Sequence, residues 1–227
     1  MKIKFVFIII AFITLFLYIR RINAMAEQEK EIIGLPFPRN KSAVSLEEAI
    51  SLRSSIREYK DEALTQEEIS WLLWAAQGMM QRKSGRTVPS AGALYPLEIY
   101  LVVGKVKGLA AGIYHYRPPE HSLVKIESGD KRSVLFNASL RQSSIKNAPV
   151  SLVICAKYQR TTQKYGERGS RYVHIEVGHV GQNIYLQTEA LGLATVAIGA
   201  FNDEAVKKVL GVKEEPIYIM PLGRPVE

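Results

Sequence analysis

VPSAGALYPLEIYLV, Val88 to Val102, changes character halfway along. Its second half runs on to Gly104 as LEIYLVVG, β-branched and apolar enough for a buried strand. Its first half sets Ser90, Ala91, Gly92 and Ala93 between Pro89 and Pro96. Small side chains there let backbone N–H and C=O groups come close to a flat ligand. Taken alone, the same residues also make an ordinary tight loop. Further strands lie on either side. Pro149 to Ala156 is a second buried run, and Gly112–Arg117 and Leu123–Glu127 flank Pro118-Pro119-Glu120-His121 as a hairpin. Thr195–Ile198 is a short strand and Pro216–Leu222 a closing one.

Helices interrupt these strands without strict alternation, so the chain reads as α+β. Ser45-Leu46-Glu47-Glu48 is a capping-box sequence that starts a short helix ending near Arg53. Thr65-Gln66-Glu67-Glu68 is a second, opening a helix with Ile69, Leu72, Leu73 and Ala76 on one face and a stop at Gly78. Gln81–Pro89 reads as a mobile loop. A long helix is expected from Arg168 to Leu191, with Val173, Val177, Val180, Ile184 and Leu191 on one stripe and Ile175, Tyr185 and Leu186 off it. A helix apolar on several faces is buried on several faces. Gly178 and Gly181 add room for a second backbone, so this helix is expected at the centre of the fold and at a subunit interface. Asp203–Leu210 is a short helix with Asp203 as its cap.

The chain has 227 residues and a net charge of +8. Four of those charges, Lys2, Lys4, Arg20 and Arg21, flank an apolar run from Phe5 to Ile19. Fifteen helical residues span about 22 Å, short of a bilayer core of roughly 30 Å. With Ala24-Met25-Ala26 behind them, residues 1–26 are expected to be a signal peptide cut after Ala26, or an N-terminal membrane anchor. Either makes this an exported protein. Residues 27–44 follow as a charged, Pro-containing linker or surface arm, and 45–227 as one domain. The domain's mild positive excess suits an anionic small ligand and gives nucleic acid no support. Cys155, the only cysteine, excludes an intrachain disulfide and a cysteine metal cluster, and its apolar surroundings make it a core thiol.

Four segments carry candidate chemistry. LRSSIREY, Leu52 to Tyr59, holds Arg53, Ser54, Ser55 and Arg57. In an extended chain Arg53, Ser55 and Arg57 project to one side, and guanidinium forks match phosphate, although the pattern alone also fits a solvated surface. Ser90–Ala93 is the second segment. Ile198, Gly199 and Ala200 form a small-residue turn after a strand. Finally, Lys164, Tyr165, Arg168, Arg171 and Tyr172 crowd the start of the long helix, where a lysine beside a tyrosine serves either proton transfer or a snorkelling surface. Glu176 and His179 form one i,i+3 pair with His174 nearby. With four histidines in all and no second E-x-x-H, no metal site is expected.

The order RSSIR, PSAGALYPLEIY, KYGERGSRY, EVGHVGQNIYLQTEALGL, AIGAF and PLGRP resembles the nitroreductase superfamily of flavin enzymes. More narrowly it is similar to the SagB-type branch, which includes azoline dehydrogenases of thiazole and oxazole peptide biosynthesis. The likeness spans roughly Ser45 to Pro225. It implies a central mixed or antiparallel sheet flanked by helices, the long helix at a homodimer interface, and FMN held there. It assigns the FMN phosphate to Arg53, Ser54, Ser55 and Arg57, with Arg224 nearby. It brings Pro89, Ser90, Ala91, Gly92 and Ala93 to the flavin from the partner subunit, and Ile198, Gly199 and Ala200 toward flavin N5. Lys164 and Tyr165 stand where the azoline dehydrogenases carry a Lys-Tyr base pair. Ala93 and Tyr95 replace an asparagine and a glutamine of ordinary nitroreductases, which counts against simple nitro reduction.

The expected function is therefore an FMN-dependent oxidoreductase that transfers a hydride between a small organic substrate and flavin N5, with a quinone or oxygen as possible acceptor. The alternatives are an NAD(P)H-dependent nitro or quinone reductase and a non-catalytic exported flavin-binding protein.

Overall fold

A computed structural model of the chain describes residues 31–38, 41–80 and 84–226. The expected leader over 1–26 lies outside the described residues, as do residues 81–83 of the expected loop. Within the stretch read as an arm, Ile32–Gly34 forms an edge strand (β1), and Leu35 behind it is buried. The remaining strands are β2 (Leu97–Val103), β3 (Gly112–Arg117), β4 (Ser122–Ser128), β5 (Val150–Ala156), β6 (Ala194–Thr195) and β7 (Glu215–Gly223). They form a seven-stranded sheet in the order β1-β4-β3-β2-β5-β7-β6, and every ladder in it is antiparallel.

Helices cover both faces, which is why the central strands read as continuous apolar runs rather than alternating ones. The odd positions of β2 (Ile99, Leu101) and the even positions of β5 (Leu152, Ile154) pack with α2 (Gln66–Gln77) and α6 (Arg168–Ala190). The complementary positions, Tyr100, Val102, Val153 and Cys155, pack with α3 (Arg132–Ala138), α4 (Ser143–Asn147) and α7 (Asp203–Leu210). Cys155 is fully buried, as its sequence context requires, and burial pushes its thiol well above the usual range.

The helix ends follow from local chemistry. The Ser45 hydroxyl accepts from the Glu48 amide at 3.1 Å and opens α1 (Leu46–Leu52), whose chain turns extended at Arg53. Thr65 and Glu68 close a full capping box on α2. That helix does stop at Gly78, but Gly78 is not left-handed; a Cβ there would sit 2.7 Å from Trp74 Cα. On α7 the cap is Asn202, whose side chain accepts from the Ala205 amide at 2.8 Å, and Asp203 is instead the first helical residue. Residues 159–165, which gave no periodic signal, form α5 (Gln159–Tyr165). It docks on α6 where Gly169 allows close approach: a Cβ at Gly169 would lie 2.7 Å from Thr162 Cα. Among the described residues no helix is long and apolar enough to cross a membrane.

Candidate active site

The structure gathers the sequence-picked residues into two groups along α6. The first lies toward its C-terminal half. After α1 the chain runs extended, and Ile56 N donates to Thr195 O at 2.9 Å, tying this segment beside β6. Period-two alternation then turns Arg53 and Ser55 to the same partner, Tyr185 of α6. The Arg53 guanidinium lies 5.1 Å from the centre of the Tyr185 ring, and Ser55 Oγ is 2.9 Å from its hydroxyl. That hydroxyl also accepts from the Ala197 amide at 2.8 Å, which brings the turn Ile198–Ala200 into the group. Ile198 is buried, whereas Gly199 and Ala200 are exposed. Gly181 of α6 and Gly199 both lie against the Tyr218 ring, at 3.6 and 3.5 Å measured from an ideal Cβ. Ser54 and Arg57 are exposed on the same segment. Neither Arg53 nor Arg57 has a carboxylate partner among the described residues.

Arg224 reaches the neighbourhood through its backbone, since its carbonyl accepts from Lys60 N at 2.9 Å. Its guanidinium points elsewhere, to Glu68 at 2.7 Å and Glu62 at 3.2 Å. The structure therefore does not bring the Arg224 side chain together with Arg53 and Ser55.

The second group lies at the N-terminal end of α6. Ser90 precedes a 3₁₀ turn, Ala91–Ala93, and Pro89 is exposed just before it. Gly92 has φ 62°, and Ala93 and Tyr95 share the left-handed region at 53° and 47°. A Cβ on Gly92 would come within 2.7 Å of Tyr165 Oη and 3.0 Å of Lys164 Nζ, so the Lys-Tyr pair sits directly over this turn. Lys164 Nζ lies 5.4 Å from the centre of the Tyr165 ring, and Tyr165 meets Tyr172 edge-on at 5.1 Å. Lys164, Arg168 and Arg171 are exposed, and the first turn of α6 carries no acid, so its positive dipole end adds to theirs. This end of the molecule favours an anionic or electron-rich ligand.

Behind the turn is a group that sequence reading did not connect to it. Glu176, fully inside the protein on α6, accepts from Gln77 Nε2 at 3.2 Å, with the Ser90 hydroxyl as a neighbour. Burial raises its carboxyl above the ordinary value, against the lowering effect of Ser90, Gln77 and Arg86. The only advance signal was an acid standing inside an otherwise apolar stripe. Tyr185 carried even less: a half-buried tyrosine off the stripe has no pattern of its own.

Tyr172 and Tyr185, which mark the two groups, lie roughly 20 Å apart along α6 at 1.5 Å per residue. The groove between α1, α2 and α6 lies along the same helix, with a volume of about 520 Å³ and a lining that includes Leu46, Ala49, Trp74, Asn183 and Leu186.

A model of the nitroreductase family matches residues 50–224. A nitroreductase-named protein of Methanocaldococcus jannaschii is 48% identical over 184 residues, covering 81% of this chain and 93% of that one. The microcin B17-processing protein of Escherichia coli is 28% identical over 137 residues, 58% of this chain and 50% of that protein. Among solved structures, a nitroreductase from Ralstonia eutropha superposes with a TM-score of 0.76 at 27% identity, covering 88% of this chain and 92% of that one. With strands β2 to β7, the long helix and both residue groups in the matched span, the chain belongs to the nitroreductase family.

Proposed function

We propose that the protein is an FMN-dependent oxidoreductase that moves a hydride between a small organic substrate and flavin N5, working as an exported homodimer. The observation that carries this reading is the seat of Lys164 Nζ and Tyr165 Oη over Gly92, in a chain of this family. FMN, when bound, supplies the two-electron chemistry. The residues present suit it: Arg53 and Arg57 are cations without carboxylate partners among the described residues, Ser55 offers a hydroxyl, and Gly199 leaves its backbone open beside Tyr218. Lys164 takes or returns the substrate proton, and Tyr165 orients the substrate or relays that proton. Two copies packed with their α6 helices antiparallel would set the Arg53 group of one beside the Gly92 turn of the other. Export rests on the leader expected over 1–26, and the electron acceptor is then a quinone or oxygen.

The test begins with the flavin spectrum of the purified full-length protein and with anaerobic bleaching by a panel of donors. Lys164→Ala and Tyr165→Phe are expected to keep the spectrum and slow donor-driven bleaching by about 10²–10⁴-fold. Bleaching by dithionite should be unchanged, because it needs no positioned base. Arg53→Ala should weaken FMN by roughly ten- to a hundredfold, the worth of one charge-assisted contact at about 1.5–3 kcal/mol. Absence of bound flavin would overturn the FMN reading. A flavin that no donor bleaches would leave a non-catalytic binding protein. Bleaching by NAD(P)H at the wild-type rate in both variants would favour the reductase reading.

A further inference from the structure

Two chains of contacts leave Glu176 and meet again at one residue. The short one passes through Ser90, a hydroxyl neighbour that lowers the Glu176 carboxyl and whose Oγ accepts from the Tyr95 amide at 2.9 Å. The long one passes through Gln77, whose Nε2 donates to Glu176 at 3.2 Å and whose Oε1 accepts from Arg86 Nη1 at 2.9 Å. The Arg86 guanidinium then covers the Tyr95 ring at 4.6 Å. A third hand, Arg160, donates to the Tyr95 carbonyl at 2.8 Å.

Three features need an explanation. Glu176 is 2% exposed in a stripe where Val173, Val177, Val180 and Ile184 would welcome another aliphatic side chain. A buried carboxylate is a poor way to gain stability, since its desolvation offsets its pairing. Arg86 is half-buried, with no direct carboxylate contact among the described residues; the Gln77 carboxamide stands between it and Glu176. Lastly, Ala93 and Tyr95 hold left-handed backbone that side chains with a Cβ avoid. Such conformations persist only where the surroundings over-determine them. The loop of contacts through Glu176 does so, fixing Tyr95 by its amide and by its ring.

We propose that Glu176 and Arg86 form a buried, carboxamide-spaced charge pair that positions the Ser90–Tyr95 turn under Lys164 and Tyr165. Neither touches the Lys-Tyr pair; both are positioning residues. Their value for flavin binding rests on the function proposed above, because it is there that this turn meets the cofactor. Besides Ser90, Gln77 and Arg86, the titratable group beside Glu176 is His179, one turn on along α6.

The test is a double-mutant cycle on the full-length protein with Glu176→Gln, Arg86→Met and the pair together. It is read by hydrogen exchange at the Tyr95 amide and by FMN titration. Glutamine keeps the shape and the Gln77 contact while removing the charge. Each single change strands one buried partner, so each is expected to lower Tyr95 protection about tenfold and FMN affinity by a similar factor. The double variant removes both charges, and its loss should be no larger than that of Arg86→Met alone, well short of the sum of the two single losses. A purely structural role would instead make the losses add, and additive losses overturn the proposal. Unchanged protection at Tyr95 in both single variants overturns it as well. Ser90→Ala guards against a misfolded Glu176→Gln: it cuts the short chain alone, and should expose the Tyr95 amide while leaving the melting temperature near wild type. If the wild type takes up no FMN, the flavin reading fails, and the exchange cycle still decides the coupling.

Discussion

Glu98, near the start of β2, is a charged side chain inside a sheet, and it survives there because two cations and an imidazole surround it. Arg160 reaches it at 2.6 Å, His115 Nε2 at 2.7 Å and Lys157 at 3.4 Å. Burial works to raise its carboxyl, but the His115 hydrogen bond and the Arg160 guanidinium outweigh that and hold it at about 2, against an ordinary 4.5. A carboxyl depressed in the fold binds fewer protons folded than unfolded. Its stabilisation is therefore complete above 4.5 and is lost as pH falls toward 2. Glu98→Gln should lower stability by on the order of 2–3 kcal/mol at neutral pH. In urea melts that gap should close as pH drops from about 5 to about 2; a gap independent of pH would mean the ion cluster contributes nothing. Arg160 also holds the Tyr95 carbonyl, so acid should loosen the turn as well as the sheet. Single residues were unevenly legible in the sequence. Arg53 and Ser55 were, because period-two spacing is a property of the backbone. The Arg224 guanidinium was not, because a sequence does not rank its two carboxylates against a phosphate. Glu176 showed only as a misplaced acid, since its partners Gln77, Ser90 and Arg86 come from distant segments.

At the scale of elements, Lys164 and Tyr165 owe their place to Gly169. The seam between α5 and α6 is closed to any side chain there, with Thr162 Cα and N at 2.7 and 2.8 Å from an ideal Cβ. Gly169→Ala must push α5 away from α6 and shift the Lys-Tyr pair off Gly92. The expected result is a loss of about 1–3 kcal/mol in stability and slowed donor-driven flavin bleaching. FMN affinity should change little, because Arg53, Ser55 and Tyr185 lie at the far end of the helix. A melting temperature equal to wild type would show that the seam tolerates a methyl group. Elements with strong periodicity or capping boxes, α1, α2, α6 and the buried strands, were readable to within a residue or two. Helices α3, α4 and α5 were not. They have five to seven residues, no side-chain cap, and too few turns for a period to emerge. β1 escaped because three residues of edge strand carry no alternation that could be recognised.

On the whole molecule, α1 and α6 both expose apolar side chains. Leu46, Ile50 and Leu52 of α1 are each more than half exposed, and Ile175 of α6 is 49% exposed. Leu46 also lines the groove along α1, α2 and α6, and the dimer proposed above would cover this face. Sedimentation of the full chain is expected to give about twice its 25.5 kDa. Ile50→Glu combined with Leu46→Glu should yield monomers that release FMN. A stable FMN-loaded monomer in the wild type would remove the dimer and the shared site with it. The α+β class and the covered sheet were legible in the sequence because both faces imprint themselves on β2 and β5. The fully antiparallel order was not, since strand order is set by pairings between segments distant in sequence. One such pairing bears on how the protein is made. Lys60 N bonds Arg224 O, Val226 N bonds Glu58 O, and Tyr59 rests on Gly223 so closely that a Cβ there would lie 2.8 Å from Tyr59 Cβ. Residues 53–60 leave the ribosome long before residues 223–226. Until the later ones emerge, the stretch bearing Arg53, Ser55 and Arg57 has its bond to Thr195 at most, and lacks those to Arg224 and Val226. Its final conformation therefore waits on synthesis of residues 223–226, however early the helices before them have folded.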